Sequence, residues 1–239
     1  MLRAIRAQTR FELTNAARRG EAILLLVLVP LTILLFFGYT GLFGLTVEML
    51  IPGLLALAIL SASLTSLAIT TGFERKYHVL KRLGATPMPR TALIVAKTSS
   101  VFIIEIIQVA ILLGVATTVF HWSADPNIGL FITAMVLGSV AMSGIGLFIA
   151  GTFRAEATLA VANGLYLTLL VLGDIIFPIW VLPPAMIVIA KILPAAPLTA
   201  LFRAALNEAQ FLPTDLAAMV FWAILGPALA GWFFTWEEK

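Results

Sequence analysis

Residues 72–90 read GFERKYHVLKRLGATPMPR, a basic, helix-prone insert in a chain that is otherwise almost continuous hydrocarbon. The insert carries Arg75, Lys76, Lys81, Arg82 and Arg90, a third of the 15 Lys and Arg of the molecule. Apolar segments long enough to cross a bilayer, which takes roughly 20 helical residues, flank it on both sides. It therefore reads as a loop on one side of a membrane, and its charge assigns that side to the cytoplasm.

The composition supports this frame. Mean hydropathy is +1.07, with 61% hydrophobic and 11% charged residues, outside the range of soluble globular proteins. The fold expected is all-α and integral to the membrane, with residues 1–239 forming a single transmembrane domain. No cysteine is present, which excludes disulfides, thiolate catalysis and Cys-held metals. His78 and His121 fall on different loops without metal-ligand spacing, so no metal site and no catalytic residue are expected. Met142-Ser143-Gly144 lacks the glycine and the later histidine that an intramembrane serine protease would need.

Six spans are expected. Residues 1–20 place Leu2, Ile5, Thr9, Leu13 and Ala16 on one helical face, predicting a basic amphipathic helix at the interface. The first apolar run has no signal-peptide cleavage site and reads as a retained span, about 22–39, with Pro30 inside it. The second, third, fourth and fifth spans read as about 49–71, 91–120, 128–152 and 157–177. The second ends in Ser61, Ser63, Thr65, Ser66 and Thr70, residue types that let helices approach and hydrogen-bond. Residues 178–213 are broken by Pro178, Pro183, Pro184, Pro194 and Pro197. They predict a re-entrant or interfacial hairpin over 179–193 and a short amphipathic helix over 198–209 on the outer surface. The last span covers about 213–234. Trp122, Trp180, Trp232 and Trp236 read as interfacial belts.

With both termini inside, Arg3, Arg6, Arg10, Arg18, Arg19, Arg75, Lys76, Lys81, Arg82, Arg90, Lys97, Arg154 and Lys239 lie on the inner side. Lys191 and Arg203 alone lie on the outer side. That asymmetry fixes the expected orientation.

On a helical projection of residues 73–84, Phe73, Tyr77, Leu80 and Gly84 share a face, with Val79 and Leu83 beside them. Glu74, Arg75, His78, Lys81 and Arg82 fill the other face. Gly84 fits a helix end and Thr86-Pro87-Met88-Pro89 a stop. Charge and amphipathicity alone fit equally a helix lying on anionic headgroups and one docking a soluble partner.

Glu74 to Pro87 resembles the loop after the second span in ABC-2 type transporter permeases. The resemblance extends to the N-terminal amphipathic helix, the six spans and the Pro-rich stretch Leu193-Pro194-Ala195-Ala196-Pro197-Leu198 followed by Leu201-Phe202-Arg203. It is strongest to bacterial drug-exporter permeases of the daunorubicin-resistance kind. The resemblance implies that the loop is a coupling helix docking a separate ATP-binding subunit through Phe73, Glu74, Arg75, Tyr77, Leu80, Lys81, Arg82 and Leu83. It further implies a homodimer, or a pair with a similar permease, in a two-plus-two complex in the bacterial plasma membrane. Its substrate would be an amphiphilic drug, lipid or lipid-linked glycan moved outward. ATP and Mg would sit on the partner, and this chain has no GxxxxGK[ST] loop. Membrane lipids are the other expected partner, and nucleic acid is not.

Glu105, Gln108 and Asp174 are the candidate polar groups of a translocation path, because buried acids in a membrane are costly. Glu105 and Gln108 stand one turn apart and predict a polar seam. Lys97 lies two turns before Glu105 on a similar face. Asp174 fits a helix cap as well as a proton relay. The rival functions are a proton-coupled secondary transporter using Glu105 or Asp174, and a non-transporting membrane scaffold.

Overall fold

A computed structural model of the chain describes residues 1–18, 20–86, 88–176, 178–206 and 209–237, with the backbone alone at 21–23 and 43. Arg19, Pro87, Phe177, Asn207, Glu208, Glu238 and Lys239, which enter the sequence reading as charges or element ends, lie outside the described residues. The described residues are helical throughout, without a strand.

The N-terminal helix α1 (Leu2–Arg18) precedes α2 (Gly20–Thr40), which contains Pro30. The apolar stretch of α2, Leu24–Thr40, is at the lower end of the roughly 17–25 residues that cross a bilayer. The third helix α3 (Val47–Lys76) is continuous but turns π-helical over Leu60–Ser66, the serine- and threonine-rich run. After a turn at Tyr77-His78 comes the short α4 (Val79–Gly84). Then α5 (Arg90–Val119), α6 (Ile128–Thr152) and α7 (Ala155–Leu172) follow, with the Asn127 side chain accepting the Leu130 N–H to start α6. Helices α8 (Pro184–Ile192) and α9 (Ala195–Ala205) meet at 80° around Pro194, and α10 (Pro213–Phe233) comes last.

Five helices (α3, α5, α6, α7 and α10) are long and apolar enough to cross a membrane, and the bent α8–α9 pair makes a sixth candidate. Helix α3 is central: 78% of its apolar window is buried inside the chain, against 17% for α10. Helix α10 lies along α6 where two glycines cross. A Cβ added at Gly144 would come within 2.4 Å of the Gly226 carbonyl carbon, so only glycine lets these backbones approach.

Four expectations change. The projection of 73–84 as one helix fails, because α3 carries Phe73–Lys76 and His78 adopts a left-handed φ of 58° that ends it. The fifth span stops at Leu172 rather than 177. The segment expected on the outer surface, α9, is buried through Leu198, Leu201, Phe202 and Ala205 against α3, α6 and α10. Trp122 packs into the main core rather than facing an interface, and Trp236 packs beside Phe234.

Candidate functional site

The basic loop forms one end of the bundle, and its side chains divide into two sets. Facing outward are Tyr77 (67% exposed), His78, Val79, Lys81, Arg82 and Thr86. Facing inward are Arg75 and Leu80. Leu80 packs with Leu93 and Phe234, all fully buried, and Leu83, Met88 and Trp236 close over them. Phe73 and Tyr77 stack at 6.1 Å between ring centroids.

Arg75 is a bolt between helix ends. Its guanidinium donates to the carbonyls of Ala150 and Phe153 (3.0 Å), to Thr235 Oγ1 (2.8 Å) and to the Glu237 carbonyl (3.0 Å). A cation is favoured there, where the α6 dipole leaves partial negative charge. Lys76 pairs with Glu156 and Lys81 with Glu237, both at exposed positions where such pairs contribute little.

Glu74 does not face a partner either. Its carboxylate lies 2.6 Å from Lys97 Nζ, which also meets Glu12 of α1 at 2.9 Å. Lys97 is fully buried, and Thr9 Oγ1 donates to the neighbouring Ala96 carbonyl at 3.3 Å. This triad joins α1, α3 and α5 beside a cavity of about 70 Å³ lined in part by Asn15, Ser66 and Thr70. The one-face argument had set Lys97 towards Glu105. Its ammonium is instead spent on two carboxylates nearer the basic end.

Glu105 sits near the middle of α5, fully buried. Ser63 Oγ donates to Glu105 Oε1 at 2.5 Å, Ser143 Oγ donates to Ser63 Oγ at 3.0 Å, and Ser139 Oγ lies 3.4 Å from Ser63 Oγ. The cluster therefore ties α5, α3 and α6 together at the π-helical segment. Gly146 makes room for it: a Cβ there would lie 2.8 Å from the Ser63 and Leu64 carbonyls. Gln108 does not join the seam. Its Nε2 donates to the Leu26 carbonyl of α2 at 2.9 Å.

Asp174 lies at the opposite end of the bundle. Its Oδ1 accepts the Ile179 N–H at 2.8 Å, and its Oδ2 lies 3.3 Å from Arg203 Nε, while Arg203 Nη2 donates to its carbonyl at 3.2 Å. The Nε approach is close but poorly aligned, so Arg203 Nε has no proper hydrogen bond. Burial pushes the Asp174 carboxyl above the ordinary carboxylate range, against the pull of Arg203 and the Ile179 N–H. These contacts pin the turn after α7.

Sequence reasoning missed a groove of about 400 Å³ between α2, α3 and α7. Leu25, Val29 and Pro30 form its apolar wall, with Ser61, Thr65, Asn163 and Tyr166 opposite. Asn163 is exposed halfway along α7, where a polar amide facing hydrocarbon would be costly. A lone Asn inside an apolar span was the available signal.

The sequence model of the family described as ABC-2 type transporter matches residues 3–207. No curated protein matches the chain.

Proposed function

Because the chain belongs to the ABC-2 type transporter family, we propose that it is the permease subunit of an ATP-driven exporter, docked to its ATPase through the outward face of Tyr77–Thr86. Membrane domains of this family are permease components without catalytic activity of their own and pair with an ATP-binding subunit. The chain is a multi-pass membrane protein. The basic end faces the cytoplasm on this reading, and the α8–α9 pair lies on the outer side.

The observation that carries the docking assignment is the exposure of a short, basic turn beyond the end of the most buried span. Tyr77, His78, Lys81 and Arg82 have no large body of this chain over them, and they present an aromatic ring among cations. An acidic, concave surface on the ATPase fits that chemistry. ATP and Mg belong to the partner.

The groove beside Asn163 supports an amphiphilic substrate, with an apolar wall for chains or rings and hydroxyl and amide groups for a polar head. A second copy of the chain, packed across the exposed faces of α2 and α7, would cover Asn163 and enclose the path. Closure of the two ATPases would shift the docking turns, and α3, rigidly continuous with Phe73–Lys76, would carry that movement to the groove. The Glu105 cluster acts in this scheme as a hinge pin between α3, α5 and α6 rather than as a proton site.

The chain lacks cysteine, so Arg82→Cys gives one labelling site. A short bifunctional cross-linker in native membranes is expected to join it to an ATP-binding protein, while Gln210→Cys on the opposite end gives no such product. Adducts only with lipid or with the chain itself would sink the docking assignment.

A further inference from the structure

The docking turn cannot hold its own position. Helix α4 has six residues, far fewer than an isolated helix needs in water, and it hangs between the break at His78 and Pro89. Its placement must come from packing, and the packing comes from the opposite terminus of the chain. Phe234 is fully buried against Leu80 and Leu93. The Trp236 ring meets Phe234 edge-on at 5.9 Å and lies under Gly84, where a Cβ would come within 3.0 Å of it.

The segment making these contacts is itself fastened. Thr235 N donates to the Gly151 carbonyl at 3.3 Å, and Arg75 holds Thr235 Oγ1 and the Glu237 carbonyl. A Cβ at Gly151 would lie 2.8 Å from Phe234 Cα, so glycine is required for the tail to pass. One short stretch thus touches the turn on one side and the ends of α3 and α6 on the other. It also lies beyond the residues matched by the family.

From this arrangement we infer that residues Phe234–Glu237 form the seat of the docking turn, with Trp236 as a positioning residue that sets its pose without touching the ATPase. The inference rests on the docking assignment for the turn's function, though not for its mechanics. Rigid movement of α3 and α6 against each other passes through the seat to the turn, and the reverse path carries ATPase closure into the bundle.

The test places a spin label on Arg82→Cys in the full-length protein. Electron paramagnetic resonance then reads the turn's mobility, and cross-linking in native membranes reads docking. Trp236→Ala is expected to speed label motion at least threefold and to lower the cross-link yield about tenfold, with Trp236→Phe restoring both. Circular-dichroism melting should be the same in all three. Gly84→Val, which crowds the indole from the turn's side, should mobilise the label as well, and it serves if Trp236→Ala fails to fold. Unchanged label motion in the folded variants overturns the seat. A mobile label with an undiminished cross-link overturns its role in docking. If the parent Arg82→Cys gives no cross-link, the docking assignment falls, and the label alone decides the seat.

Discussion

Lys97 Nζ lies 2.9 Å from Glu12 Oε1, joining the N-terminal helix to the start of α5 inside the protein rather than at its surface. With Glu74 at 2.6 Å on its other side, the ammonium neutralises two carboxylates that are each only 11% exposed.

Removing the cation alone should therefore be worse than removing the whole triad. Lys97→Met is expected to destabilise the protein by about 3–5 kcal/mol, since it strands two buried carboxylates. Adding Glu12→Gln and Glu74→Gln should recover most of that loss. Unfolding curves in mild detergent with increasing SDS check both, and equal loss in the single and triple variants would contradict the account.

The serine cluster calls for smaller numbers. Interhelical hydrogen bonds within membranes average about 0.6 kcal/mol and reach about 1.7. Ser63→Ala should fall at the upper end of that range, because Ser63 touches Glu105, Ser139 and Ser143. Ser143→Ala removes one contact and should fall lower. The same unfolding assay separates the two.

Where α6 and α10 cross, Gly144→Val would drive a side chain into the Gly226–Pro227 backbone, which has no flexible atoms to yield. A loss of about 3 kcal/mol or more is expected. Gly164→Val, at a position with open space around it, should leave the melting temperature nearly unchanged and is the control.

Asp174 gives a pH prediction. Its folded-state carboxyl titrates higher than in the unfolded chain, because burial disfavours the charged form. Its contribution is fully present below about pH 4, the unfolded value, and is lost as pH rises through the higher folded value. Asp174→Asn should flatten that fall in thermal stability, and a variant with the wild-type pH slope would count against it.

The span order, the amphipathic first helix and the basic loop were all legible in apolar run length and Lys/Arg placement, because the bilayer imposes those regardless of partner helices. The inward or outward sense of individual loop residues was not. Arg75 and Arg82 are indistinguishable by residue type, yet one is sequestered by carbonyls 75 or more positions away and the other is free to meet solvent. Leu80 belonged to a predicted apolar face. Whether that face meets a partner or the chain's own Phe234 depends on a contact spanning most of the sequence. Helix α9 misled for the same reason: its polar Thr199 suggested a surface helix, but the hydroxyl is spent on the Gly173 carbonyl at 2.7 Å.

The π-helical segment Leu60–Ser66 divides α3 into two halves of different angular phase. A π turn takes in an extra residue, and one residue is about 100° of an α-helix. Excising a single residue from Leu60–Ser66 would let regular winding resume and swing the half from Leu67 to Lys76 by about that angle. Glu74 would then turn away from Lys97 and Arg75 from the end of α6. The alignment of this transporter's basic end is in that sense a matter of residue count upstream, which no substitution within Leu67–Lys76 could restore.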